Sequence, residues 1–189
     1  MVTTLNSSNT NIYSTENDKR YSGVVIISTG GYYGTGALLY DGAAILTAAH
    51  LFSDVNSQAR ITFDSPSGSI TLQSSNITII PTYDDINSNS DIAIVWLSEQ
   101  APKDALRYDI YRETNEINQI FSFAGYGVQG TGMNGVDDIN EALKLASLNR
   151  FEEQASELKD ALGNIMAWNP NNNILVADFD DGTTSHDAL

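Results

Sequence analysis

Apolar positions along the 189-residue chain come in short runs set between turn residues. VVIIS at 24–28, GTGALLY at 34–40, AAILTA at 43–48 and RITF at 60–63 are followed by ITLQ at 70–73, ITII at 77–80 and DIAIVWL at 91–97. Branched and aromatic side chains in such runs suit a pleated surface, and the rhythm predicts an antiparallel sandwich or barrel. Asp41-Gly42, between two of the runs, predicts a two-residue hairpin turn, because both central positions of that turn need positive φ. Gly34 and Gly36 thin the preceding strand, as at a bulge or barrel corner where another backbone comes close.

Beyond Leu97 the pattern changes. An acidic, polar connector runs to about Asn115, and IFSFAGYGV at 120–128 predicts a strand that opens a second β unit. Leu148, Phe151, Ala155, Leu158 and Leu162 follow helical spacing, whereas LKLASL alternates, which predicts a strand over 143–150 and a helix over 152–162. NPNNN at 169–173 reads as a turn and ILVADF at 174–179 as a strand. Residues 1–20 are polar and aperiodic, so a disordered or loosely attached leader is expected, with the ordered fold beginning near Tyr21.

Composition narrows the partners. At 41% apolar content the chain can bury one sizeable core or two small ones. Nine basic against twenty-four acidic residues leave a net charge of -15, which repels phosphate backbones and anionic headgroups, so neither nucleic acid nor membrane is expected as a partner. No run reaches the roughly 20 apolar residues of a spanning helix, and MVTTLNSSNTNIYS has neither region of a signal peptide. The absence of cysteine excludes disulfides and thiolate metal sites without excluding an extracellular location. Asn, Asp, Ser, Thr and Gly are abundant and Lys is scarce, as in proteins that bacteria export through C-terminal signals.

Against this background His50, one of only two histidines, is conspicuous at the end of AILTAAH. A histidine after a strand is ordinarily a structural residue, and Asp91 is what alters that reading. It lies at the mouth of a continuous apolar run, expected to be a strand buried on both faces, where an ionised carboxylate is costly unless partnered. An imidazole N–H is such a partner, and the carboxylate would fix the histidine tautomer and stabilise the imidazolium. Alone, Asp91 reads more readily as a strand-start cap than as a functional carboxylate. Asp178, Asp180, Asp181 and Gly182 have the composition of a calcium loop but lack its alternation and terminal glutamate, and read as a solvated turn. Asp137-Asp138 and Glu152-Glu153 read as exposed charge and His186 as a surface residue. No cofactor or metal is called for.

Taken together, Thr47-Ala48-Ala49-His50 and Asp91-Ile92-Ala93-Ile94 resemble the T-A-A-H and D-I-A-[IVL] blocks of the chymotrypsin/trypsin-like serine peptidases, in the same order. Gly34-Thr35-Gly36 and Gly125-Tyr126-Gly127 are similar to that family's glycine strand before the histidine and its G-[WY]-G in the second barrel. The resemblance covers about residues 21–128. It implies an all-β, chymotrypsin-like double antiparallel barrel: first barrel 21–100, connector 101–118, and an incomplete second barrel 119–189. It also implies a protein or peptide substrate, His50 as general base and Asp91 as its orienting carboxylate.

The family's nucleophile motif is missing. No G-D-S-G-G, and no one-residue variant of it, occurs in the 189 residues. Ser185 in DGTTSHDAL is a poor candidate, because Thr184, His186 and Asp187 offer no glycine for close approach of a substrate carbonyl. The expectation is a secreted, Cys-free domain cut short before its serine, inactive on its own. The alternative is a catalytically inactive module that binds peptide or a partner protein. Leu51 replaces the usual cysteine after the histidine, and Tyr21-Ser22-Gly23-Val24-Val25 after Arg20 is the nearest analogue of a freed N-terminus.

Overall fold

A computed structural model describes residues 14–15, 18–52, 58–64, 68–128, 130–131, 135–136, 142–171 and 173–177. Six strands close an antiparallel barrel: β1 (Val24–Thr29), β2 (Tyr32–Leu38), β3 (Ala44–Thr47), β4 (Arg60–Phe63), β5 (Ile70–Ile79) and β6 (Ala93–Leu97). Their order around the barrel is β1-β2-β3-β6-β5-β4. Alternate positions point inward, so Val25, Ile27, Leu38, Ile45, Ile61 and Val95 are fully buried and form one core.

Several expectations are refined by the way the barrel closes. ITLQ and ITII are one strand: β5 pairs with β4 through its first half and with β6 through its second, with a register shift between Ser74 and Asn76. The polar Gln73-Ser74-Ser75-Asn76 stretch looks like a break in sequence, yet its side chains serve the switch. Ser74 Oγ accepts from Ala59 N–H and Ser75 Oγ donates to the Trp96 and Leu97 carbonyls. β6 is not buried on both faces. Ala93, Val95 and Leu97 face the core while Ile92 and Trp96 are exposed, so its unbroken apolar run hides a one-sided strand.

β2 and β3 do form a hairpin, with Ala37 opposite Leu46 and Leu38 opposite Ile45. Its loop is longer than the two residues expected. Leu39 N–H bonds to Ala44 O and Gly42 N–H to Leu39 O, and Gly42 alone has positive φ, at 71°. Asp41 accepts from Ala43 N–H at 3.0 Å, an Asx turn that supports a type I rather than a mirror-image turn. Gly34 and Gly36 mark no bulge, since β1 and β2 stay in register throughout. A Cβ at Gly34 would lie 2.6 Å from the Leu51 side chain, and one at Gly36 would lie 2.4 Å from Ile45. The space they free is taken mainly by side chains, not by another backbone.

The second unit is a set of small sheets. β7 (Ile120–Gly125) pairs with β10 (Leu145–Arg150), β8 (Gly130–Thr131) with β9 (Gly135–Val136), and β11 (Glu153–Gln154) with β12 (Leu175–Val176). Helix α1 (Ala155–Leu162) ends at Gly163, whose φ of 56° suits glycine. The helix starts later than its spacing predicts, because Glu153 and Gln154, inside the expected 152–162 helix, pair with β12 as β11. Glu152 and Glu153 are half-buried rather than exposed, because β11 lies against β12. The polar segment before Tyr21 is tied down where described: Ser14 bridges Leu145, and buried Thr15 donates to Lys144 O at 3.0 Å. The chain therefore has the double-barrel architecture, with a closed first barrel and a partial second sheet.

Candidate active site

Strand register brings His50 and Asp91 together. β3 and β6 run antiparallel with Thr47 opposite Ala93, so the chain leaving β3 passes the chain entering β6. His50 is three residues beyond Thr47, and Asp91 two before Ala93. After Thr47 the backbone tightens into a 3-10 turn over Ala49–Leu51. Ala49 is fully buried, and Phe52 N–H closes the turn on Ala49 O at 2.9 Å. A larger side chain at 49 would push that turn off the core, which is the physical content of the small residues before the histidine.

Asp91 holds His50 at two points. Its Oδ1 accepts from the His50 backbone N–H at 2.8 Å, and its Oδ2 lies 2.6 Å from Nδ1. An ionised carboxylate only accepts, so Nδ1 carries the proton and, in the neutral ring, Nε2 is left as the basic nitrogen. The Asp91 side chain is 23% exposed and that of His50 61%, so the carboxylate is recessed and the ring is open on its outer side. That arrangement fixes the tautomer and leaves a base facing solvent.

The loop that delivers Asp91 spans residues 84–90, Asp-Asp-Ile-Asn-Ser-Asn-Ser. Asp84 organises it, accepting from Ile86 N–H at 3.0 Å and from Asn87 Nδ2 at 2.9 Å. These bonds, led by the Asn87 side chain, hold the Asp84 carboxyl below its ordinary 3.8. Ser88 and Ser90 adopt φ of 52° and 54°, left-handed geometry that costs a non-glycine residue about 1–2 kcal/mol. The sequence reading passed over this loop, although its run of Asn, Asp and Ser is a signal for side-chain-bonded turns.

A second cluster joins the two units. Tyr126, 1% exposed, donates from its hydroxyl to Asp64 Oδ2 at 2.6 Å and from its backbone N–H to Thr35 Oγ1 at 3.0 Å. Burial, with the Asp64 bond, pushes the Tyr126 hydroxyl far above its usual range. Lys144 Nζ sits 5.6 Å from the Tyr126 ring centre and donates to Tyr21 O at 3.0 Å, its pKa pulled down by burial. Thr35 O in turn accepts from Thr47 Oγ1 at 2.8 Å, linking Gly-Tyr-Gly to the last residue of β3, three residues before His50. Asp64 and Lys144 were not singled out by the sequence, because neither belongs to a motif.

Ser185, His186 and the 178–182 acidic stretch lie outside the described residues, as do Asp137 and Asp138. Among the described residues no group of three or more His, Cys, Asp or Glu is placed to hold a metal ion, and no helix is long and apolar enough to cross a membrane. An open groove between Thr29–Tyr33, Gln58, Arg60 and Gln73 includes neither His50 nor Asp91.

Comparison with curated proteins finds no match. The trypsin family model matches residues 10–150, a span that holds the closed barrel, His50, Asp91 and the Gly125-Tyr126-Gly127 turn. The chain belongs to the trypsin family of serine peptidases.

Proposed function

We propose that this chain carries the general base and its orienting carboxylate of a serine endopeptidase, His50 and Asp91. The observation that supports the reading is the two-point hold of Asp91 on His50, at 2.8 Å to the backbone and 2.6 Å to Nδ1. In this reading His50 Nε2 takes the proton of the attacking serine hydroxyl and returns it to the leaving amine. Asp91 stays ionised throughout, orienting the ring and stabilising the imidazolium. Substrates are proteins or peptides. An extracellular site of action fits both the family and a chain that holds together without thiols.

No attacking serine is assigned among these residues, since G-D-S-G-G is not among the 189 and Ser185 has no flanking glycine. A fluorophosphonate probe, which bonds covalently to activated serines, tests this on the 189-residue chain and on the protein translated from the complete reading frame. Labelling of the latter alone is expected, abolished by His50→Ala and slowed by Asp91→Asn on the order of 10³–10⁴-fold through the wrong tautomer. Labelling of the short chain would move the nucleophile to Ser185. No labelling of either would overturn the peptidase reading and favour a non-catalytic module that binds peptide in the same cleft.

A further inference from the structure

Asp91 sits at the centre of a tight turn, with Ile92 N–H bonded to Ser90 O at 2.7 Å, so any movement of Ser88–Ser90 moves the carboxylate directly. Those two serines occupy left-handed backbone geometry that the loop does not favour by itself. The internal bonds through Asp84 fix the start of the loop, at Ile86 and Asn87. Its end is closed on the start by Asp84 N–H, which donates to Asn89 O at 2.9 Å, and the Asn89 side chain is held from elsewhere in the chain. Asn89 Nδ2 donates to Asn169 O at 3.1 Å, Asn89 Oδ1 accepts from Asn171 N–H at 2.8 Å, and Trp168 Nε1 donates to Asn87 O. Asn89 is thus held at both ends of its amide by one short segment eighty residues away. That segment follows α1 and lies outside the span matched by the family.

We propose that residues 168–171 form a strap that positions Asp91 against His50, with Asn89 as the positioning residue through which it acts. The proposal rests on the reading of His50 and Asp91 as the working pair. Geometry gives it direction. Among the described residues no hydrogen bond joins the strap to either side chain of the pair, yet it braces the loop at Asn89, two residues before the carboxylate. The second unit thereby controls a catalytic element of the first, and an opening of the strap would release the carboxylate without disturbing the barrel core. Turn-forming Asn169-Pro170-Asn171 suits the task, because proline stiffens the segment whose backbone carbonyl and N–H grip the Asn89 amide.

The test needs no nucleophile. In the 189-residue chain labelled with ¹⁵N-histidine, with His186→Gln leaving His50 as the sole signal, the proton shared between Nδ1 and Asp91 is expected as a low-field resonance in slow exchange with water. Asn89→Ala removes both amide bonds to the strap, together with its side-chain contact to Asp84, and is expected to speed that exchange about tenfold or more, with the melting curve of the barrel little changed; Trp168→Phe, which touches the strap alone, separates the two. Trp168→Phe keeps the ring, removes its N–H donor, and is expected to act in the same direction by about threefold. Ile86→Ser alters an exposed side chain of the same loop and is expected to leave the exchange rate alone. Parent-like exchange in both Asn89→Ala and Trp168→Phe would overturn the strap while leaving the His50–Asp91 reading intact. Absence of the resonance in the parent would overturn both. If Asn89→Ala does not fold, the contrast between Trp168→Phe and Ile86→Ser decides.

Discussion

Residues 24–97 and residues 120–177 are made of the same materials, short strands between polar turns, and they pack in opposite ways. Every strand of the first region has two neighbours, and their inward faces converge on one buried cluster. Each strand described in the second has a single partner, and apolar positions such as Ile120 and Leu148 stay 65% and 68% exposed. Among the described residues of the second region the fully buried large side chains are Tyr126, just after β7, which packs against β1, and Leu145, paired with the end of β7. The barrel is held by burial, and the second unit is held to it by directed polar bonds. Both members of the His50–Asp91 pair come from the region that burial makes rigid, while the loop that aims Asp91 is braced from the other.

The comparison predicts an asymmetry in core substitutions, and this is the largest effect expected. Ile61→Ala in the closed core should cost about 2–5 kcal/mol, the range for deleting buried branched side chains that leave a cavity. Leu148→Ala on the exposed face of β10 should stay within about 0.5 kcal/mol. Denaturant unfolding of the two variants measures the difference, and amide exchange gives the parallel result, with slow sites concentrated in 24–97. Equal costs, or equal protection in 120–177, would break the contrast.

A smaller effect sharpens the claim that polar bonds join the units. Tyr126→Phe keeps the buried ring and removes the bond to Asp64, whose carboxylate is partly reached by water and also accepts from Ser69 Oγ. The expected loss is about 1–2 kcal/mol, toward the lower end for a bond to a charged group. Its distribution is the informative part. Exchange in β7 and β10 should quicken more than exchange in β1–β6, and a loss shared equally would mean that the two regions unfold as one.

Much of the first barrel was legible because its strands obey a two-residue period and end at turn residues. RITF is β4 without adjustment, and Asp41-Gly42 does mark a hairpin, though with a longer loop. What escaped depended on contacts between distant segments. The bulge at Ser75 has no local signature in a polar stretch, and the one-sidedness of β6 is hidden because Ile92, Ile94 and Trp96 are apolar whichever way they face. The adjacency of His50 and Asp91 was readable from motif order, and the register of Thr47 with Ala93 supplies its cause. The Asn89 contacts were not readable, since nothing near residue 89 points to residues 169 and 171.

The smallest effect expected separates the Asp91 loop from both regions. Asp84 is the internal organiser of that loop, and its carboxyl titrates below 3.8 because the Asn87 side chain and the backbone N–H groups of Asn87 and Ile86 bond to its charged form. A carboxyl whose folded pKa lies below its unfolded value binds fewer protons in the native state, so its contribution is fully present above the unfolded pKa and is lost as pH falls through the folded one. Between neutrality and pH of about 4 the loop should therefore be unchanged, with the Ile86 and Asn87 amide resonances stationary. Below that the two amides should shift together with a midpoint under 3.8, and Asp84→Asn should abolish the shared transition. The barrel amides of β1 and β4 should not follow, because the loop is tied to residues 168–171 and to its own side chains and not to those strands. If instead the 84–90 loop and the barrel core move together over one acid transition, the loop is part of the barrel's cooperative unit, and the strap has no independent element to hold.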